Sequence, residues 1–166
     1  MKYIQLRGKY GLGKQAIVSD IDYDRCSQYK WTLSFPNGNR QFARTRIGNK
    51  SCVSMSRFIT NPDKNILVDH RNGNTLDNRR ENLRFCNNAQ NQMNSKLHRD
   101  KKSINGIIPP KGIKFDASRP HKPWVGRIYF QGRRILTKGF SEINDAVKAY
   151  QQIGKKYFGD FFNPGY

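Results

Sequence analysis

The sequence predicts an α+β protein built as two small basic modules, and three observations carry that prediction. Over the first sixty residues, short alternating runs stand between turn-forming Gly, Asn and Pro residues. From Ile66 a strand-turn-strand pattern gives way to a helical one, and beyond Gly112 three strands precede a single helix. With 166 residues the chain suits two small domains. The expected organisation is a first module over 1–97 with a compact core at about 66–97, a linker over 98–111, and a second module over 112–166.

The elements follow in order. Strands are expected over Tyr3–Leu6, Gln15–Ser19, Tyr29–Ser34, Gln41–Ile47 and Ser51–Val53. Asp20, Asp22 and Asp24 place acids at the first turn of a helix that runs through Gln28, and a second short helix begins near Ser54 and ends before Asn61-Pro62. Ile66–His70 reads as a strand, Asn72-Gly73-Asn74 as a turn, and Leu83–Cys86 as the returning strand. Asn87 is a good N-cap for a helix from Asn88 to about Leu97, with Ala89, Met93 and Leu97 on its inner face. Residues 98–106 are charged and lose periodicity, and Pro109-Pro110 follows. Then come strands over Gly112–Asp116, Pro123–Phe130 and Arg133–Lys138, the last two joined by the tight turn Gln131-Gly132. Ser141 starts a helix on which Ile143, Ala146, Val147, Tyr150, Ile153 and Tyr157 share a face until Gly159.

Charge narrows the function. The chain carries 31 Lys and Arg against 12 Asp and Glu, a net charge of +19, divided as +10 over residues 1–96 and +9 over 97–166. Because both halves are basic, a disordered tail is not the source, and each module suits a polyanionic partner. No apolar run approaches the ~20 residues of a membrane span, so no membrane partner is expected. Met1–Gly8 lacks the apolar stretch of a signal peptide, so a cytoplasmic setting is expected. Cys26, Cys52 and Cys86 are odd in number and form no C-x-x-C pair, so all three are expected as reduced core fillers and no zinc is expected.

The most informative stretch is Val68–Asn94. If the hairpin is backed by the following helix, Asp69 and His70 can face Asn91. A carboxylate and an amide oxygen are hard ligands that hold Mg2+ weakly and leave room for water and phosphate. An imidazole beside them can take a proton from water. Together these are the parts of a metal-assisted phosphodiesterase.

The combination of Asp69-His70, Asp77-Asn78-Arg79-Arg80-Glu81-Asn82-Leu83-Arg84 and the asparagines through Asn94 resembles the HNH endonucleases of the ββα-metal fold, in the subgroup common in phage and mobile-intron nucleases. The resemblance covers about Lys2–Lys96. It implies Asp69 as metal ligand, His70 as general base, Asn82 as a brace that orients His70, and Asn91 as second ligand where other members have His. It implies Mg2+ or Mn2+, one ion per site. Arg79, Arg80 and Arg84 are expected DNA contacts.

In the second module, strand alternation puts Trp124, Gly126, Ile128 and Phe130 on one face and Val125, Arg127 and Tyr129 on the other, while Ile135 and Thr137 oppose Arg134 and Leu136. One face packs on the helix. The other presents Lys114, Arg127, Tyr129 and Arg134 to DNA. Gly112-Ile113, Trp124–Ile128, Arg133–Ile135, Gly139-Phe140, Asp145-Ala146, Ala149-Tyr150 and Tyr157–Gly159 resemble the ethylene-response-factor-type (Apetala-like) DNA-binding domain. Asp116 stands where that family often has a basic residue, so no base preference is carried over.

The expected function is a site-specific, homing-type DNA endonuclease acting on double-stranded DNA, encoded by a phage or other mobile element. One site per chain implies that a monomer nicks. A dimeric restriction-type enzyme, or a DNA-binding regulator with an inactive nuclease module, are the alternatives.

Overall fold

A computed structural model describes residues 1–35, 40–48, 52–95, 103–104 and 106–165. The chain divides into two compact units, Met1–Asn87 and Asn88–Tyr166. Among the described residues the protein is α+β, with small, mainly antiparallel sheets and four α-helices.

In the first unit β1 (Lys2–Gln5) pairs antiparallel with β2 (Gln15–Val18), and alternation sends Ile4, Ala16 and Val18 inward. Then α1 (Asp20–Ser27) turns Asp22 and Cys26, one turn apart, into the interior. β3 (Thr32–Ser34), β4 (Phe42–Thr45) and β5 (Val53–Ser54) form an antiparallel sheet. The strand expected from Tyr29 begins only at Thr32, because Tyr29 N turns back to Cys26 O and Trp31 drops into the core, its Nε1 donating to the same carbonyl at 2.8 Å. α2 (Met55–Thr60) is N-capped by Ser54 and ends on Asn61 in the left-handed region, before Pro62. β6 (Leu67–His70) and β8 (Leu83–Cys86) form an antiparallel hairpin, between which β7 (Asp77–Asn78) leaves to pair parallel with β2. The core gathers Leu6, Val18, Trp31, Leu33, Met55, Ile59 and Leu83. Emptying its largest member, Trp31→Ala, would cost roughly 3–5 kcal/mol. Cys26 and Cys86 are buried as expected, but Cys52 is exposed and fills no core.

The second unit begins with α3 (Asn88–Asn94). Met93 lies in this unit's core, Ala89 is exposed, and Leu97 is outside the described residues. So are 98–102 and 105 of the expected linker, while Ile104 and Ile107 bridge each other in a tight turn and Pro109 is buried. β9 (Ile113–Phe115), β10 (Trp124–Phe130) and β11 (Arg133–Leu136) form an antiparallel sheet in the order β11-β10-β9. Gln131 and Gly132 both have positive φ, 49° and 75°, the requirement of a two-residue type I′ hairpin turn. α4 (Ile143–Phe158) turns Ala146, Tyr150, Gly154 and Phe158 inward at four-residue spacing, with Gly154 facing the Phe162 ring. The expected Ser141 start moves to Ile143, with Glu142 at the N-cap position. Gly126 lets α4 lie close, since a Cβ there would sit 2.9 Å from that of Tyr150.

Candidate active site

Asp69 and His70 end β6 and point to opposite sides of it, as neighbours on a strand must. Both are buried, at 7% and 4% exposure. Asp69 stands across the ladder from Arg84, whose Nε and Nη2 each lie 2.9 Å from its Oδ2. This is a buried, charge-assisted pair that holds the carboxylate in one orientation.

His70 is held from elsewhere. Its Nε2 lies 3.3 Å from Asn78 Oδ1, and Phe42 stands beside the ring at 6.5 Å between centroids. With Nε2 donating to that oxygen, Nδ1 carries the lone pair. Burial pulls the imidazole pKa below its ordinary 6.5, against the opposing pull of the Asn78 bond and of Asp69 and Asp77. The ring is therefore neutral at physiological pH, the state a base requires. Asn78 is 1% exposed, and its Nδ2 is buried without a hydrogen-bond partner among the described residues. An unmatched amide hydrogen costs about 1–3 kcal/mol, which makes the His70 contact the reason for an asparagine there.

Asn82 closes the loop that follows His70. Its Oδ1 accepts from Asn72 N at 3.0 Å, its Nδ2 donates to Asp77 O at 2.7 Å, and its own carbonyl accepts from Arg71 N at 2.9 Å. Gly73, at φ 70°, allows the tight turn in which Gly73 N donates to His70 O. The backbone leaving His70 is thus tied on both sides.

The three arginines expected on phosphates each meet a carboxylate. Arg79 Nε and Nη2 donate to the two oxygens of Asp77 at 2.8 Å, and this bond above all holds the Asp77 carboxyl below the usual range. Arg80 grips Asp22 with Nε at 2.7 Å and Nη2 at 2.8 Å, which raises the guanidinium pKa and ties α1 to the 3-10 turn Arg80–Asn82. Arg84 is 9% exposed and engaged with Asp69. Arg79 and Arg80 keep exposed side-chain surface. Asn91 lies half-buried on α3, in the second unit.

Sequence reasoning missed Asn78, Asn72 and Asp22. Asn78 reaches His70 only because a two-residue strand pairs with β2, where Val18 stands opposite it. Asp22 reads in sequence as an exposed first-turn acid. Nothing in the spacing marks it as the buried partner of Arg80, far along the chain.

Among the described residues no three His, Cys, Asp or Glu side chains cluster to hold a metal. The donor chemistry nevertheless fits Mg2+, which takes one or two protein oxygens and keeps water and substrate phosphate as its other ligands. The Asp69 carboxylate is an oxygen donor of that kind. Arg84 beside it offsets the negative charge of the carboxylate, which would weaken the hold on a cation there.

The β9–β11 sheet sorts its side chains by register. Ile128 pairs with Ile135 on the face toward α4, while Tyr129 pairs with Arg134 and Arg127 with Leu136 on the other. Lys114 stands opposite Val125 on that same outer face. Lys114 and Arg134 are exposed, Tyr129 is 54% exposed, and the half-buried Arg127 guanidinium lies 5.4 Å from the Tyr129 ring centroid. Val125 is buried, so the open part of the face is its Arg127-Tyr129-Arg134 end.

Residues 61–93 match a family model described as HNH endonuclease. That stretch runs from the end of α2 through the hairpin to Met93 and contains Asp69, His70, Asn82 and Asn91. The match supports an HNH-type nuclease domain over that stretch. No curated protein and no solved structure matches the chain. Among the described residues no helix is long and apolar enough to cross a membrane.

Proposed function

We propose that this chain is a Mg2+-dependent, site-specific DNA endonuclease of the HNH type that nicks one strand by His70-activated water. The observation that carries the reading is the end of β6, where a buried neutral imidazole and a buried carboxylate adjoin within the stretch that matches the HNH endonuclease model.

In this reading His70 accepts a proton from the attacking water at Nδ1, while Asn78 holds Nε2 and fixes the tautomer. Asn82 is a positioning residue that keeps the loop after His70 closed. Asp69 would hold the ion by one oxygen, and Asn91 would be its second ligand. When bound, Mg2+ supplies charge stabilisation at the phosphate and the leaving 3′ oxygen. The sheet face of Lys114, Arg127, Tyr129 and Arg134 binds double-stranded DNA in the manner of the Apetala-like domain it resembles, with Arg127 and Arg134 as forks for base edges or phosphates. The exposed parts of Arg79 and Arg80 add to the phosphate contact, and Arg84 acts through Asp69. A single site per chain makes the monomer a nickase, and a homing-type role suits the pairing of a cutting and an addressing module.

A supercoiled-plasmid assay tests this. Open circles that need Mg2+ and vanish in His70→Ala support it, whereas linear product at the first turnover favours a dimeric enzyme. A second reading, a DNA-binding regulator without cleavage, draws on the 4% exposure of His70 and on the engagement of Asp69 by Arg84. Tight DNA binding with no nicking under any divalent metal would establish that alternative.

A further inference from the structure

Between Asp24 and Asp63 the sequence holds no acid and seven Lys or Arg, and this stretch builds the β3–β4–β5 sheet of the first unit. Alternation divides β3 and β4 into two faces, with Leu33, Ala43 and Thr45 buried on one and Thr32, Phe42 and Arg44 on the other. Arg7 joins the second face from the free edge of β3. Its N donates to Trp31 O at 2.7 Å and the residue bridges Thr32 in parallel, so its side chain falls beside Thr32 while Leu6 turns into the core. Thr32 in turn pairs with Arg44 on β4. The result is a row Arg7-Thr32-Arg44 across three adjacent segments, with the two arginine Cα atoms about 10 Å apart.

The row is held in place and lies next to the site. Thr32 Oγ1 donates to Arg44 O at 3.2 Å, and Arg44 Nη2 donates to Cys52 O at 3.1 Å, which keeps the guanidinium on this face with the rest of its fork free to donate. Tyr10 packs edge-on against Phe35 at 5.6 Å between ring centroids and so ties the loop that follows Arg7 to the end of β3. Arg7 is exposed and Arg44 half-buried, and among the described residues no ion pair engages either, unlike Arg79, Arg80 and Arg84. Phe42, two residues before Arg44 and about 7 Å along the same face, is the ring beside His70. The start of β4 is also tied to the loop beyond His70, because Thr75 Oγ1 donates to Gln41 O.

An acid-free face with two unpaired arginines suits a polyanion, since nothing on it neutralises them, and planar guanidinium forks match phosphate oxygens. We propose that the outer face of β3 and β4, through Arg7 and Arg44, binds phosphates of the DNA beside the bond to be cut and leads that strand to His70. This rests on the nuclease reading above. It gives the first unit a DNA contact of its own, separate from the one proposed for the β9–β11 sheet. Because Arg7, Thr32, Arg44, Phe42 and His70 all belong to the first unit, the contact and the base move together.

The test compares the full-length chain with Arg7→Gln, Arg44→Gln and Thr32→Glu. Duplex binding is measured without divalent metal over a range of salt. Each arginine loss is expected to make the log-log salt slope shallower by about 0.9, so that its effect on affinity is about threefold greater near 50 mM than near 200 mM salt. Thr32→Glu sets a carboxylate between the two arginines on an exposed position, where they neutralise it, and is expected to weaken binding and flatten the slope as the arginine losses do. It covers the case in which Arg44→Gln, without its bond to Cys52 O, fails to fold. In nicking assays the DNA concentration for half-maximal rate is expected to rise in all three, while the rate at saturating DNA recovers. Unchanged salt slopes in Arg7→Gln and Thr32→Glu would overturn the proposal. So would a nicking rate reduced equally at every DNA concentration, the mark of a smaller folded fraction. A wild-type chain that binds duplex and never nicks sinks the nuclease reading, and the approach to His70 with it, whereas unchanged slopes in a chain that nicks sink this face alone.

Discussion

On the β6–β8 hairpin Arg79, Arg80 and Arg84 are engaged by carboxylates of the protein itself. Arg84 and Asp69 bury each other, and nearby Arg79 and Arg80 meet Asp77 and Asp22 at 2.7–2.8 Å. On the β9–β11 sheet Lys114 and Arg134 stand in solvent, and the strands carry no acid at all. The two regions both carry cations and put them to opposite use. A site that moves a proton needs groups held in one orientation at low dielectric, and that requires internal partners. A surface that meets phosphate, the role we propose for this sheet, needs cations able to displace the counterions condensed on DNA, and internal partners would defeat it.

Substitutions can break or sharpen this contrast. The largest effect is expected from His70→Ala, with nicking down by about 10²–10⁴-fold and DNA affinity retained, measured on supercoiled plasmid and by binding without divalent metal. A comparable loss from Arg134→Ala at saturating protein would erase the distinction between the regions.

Next in size is Arg84→Ala, which leaves Asp69 buried without its guanidinium and should cost roughly 3–5 kcal/mol in the first unit. Arg134→Ala should stay within about 0.5 kcal/mol. Each unit holds one tryptophan, Trp31 in the first and Trp124 in the second, so denaturant unfolding of the first unit can be followed by Trp31 fluorescence in a Trp124→Phe background. Equal stability of the two variants would contradict the buried-pair account.

Arg134→Ala should instead weaken DNA binding by about 1–3 kcal/mol if the fork reads a base. If it meets only a phosphate, the log-log salt slope should become shallower by about 0.9. A salt titration of both proteins decides between these.

The smallest effect is on pH. Because burial lowers the His70 pKa below 6.5, the folded protein releases this proton more readily than the unfolded chain. Between the two pKa values the unfolded state binds more protons, so stability falls as pH drops below about 6.5 and levels off under the folded pKa. At pH 7 and above His70 contributes no pH dependence. The acid limb of the nicking rate should likewise lie below 6.5, and a limb centred above it would refute the burial argument.

Local pattern foretold a good deal. The hairpin strands, the start of α3, the Gln131-Gly132 turn and the division of β10 into inner and outer faces were all legible, because each depends on neighbours two to four residues apart. So were Asp69 and His70 as adjacent chemistry on one strand. Three things were not legible. Trp31 left the expected strand for the core, Cys52 remained outside it, and the arginines turned to carboxylates.

The sequence by itself determined that this is a basic α+β chain with an Asp-His pair at the end of a hairpin strand, because alternation, turn chemistry and charge are properties of short segments. Only the tertiary structure decided that Asn78 holds the imidazole, that Asp22 receives Arg80, and that Lys111 and Asn163 cap α3. A buried polar group must find a partner wherever the fold brings one within reach of a hydrogen bond, and no spacing along the chain records which residue that will be.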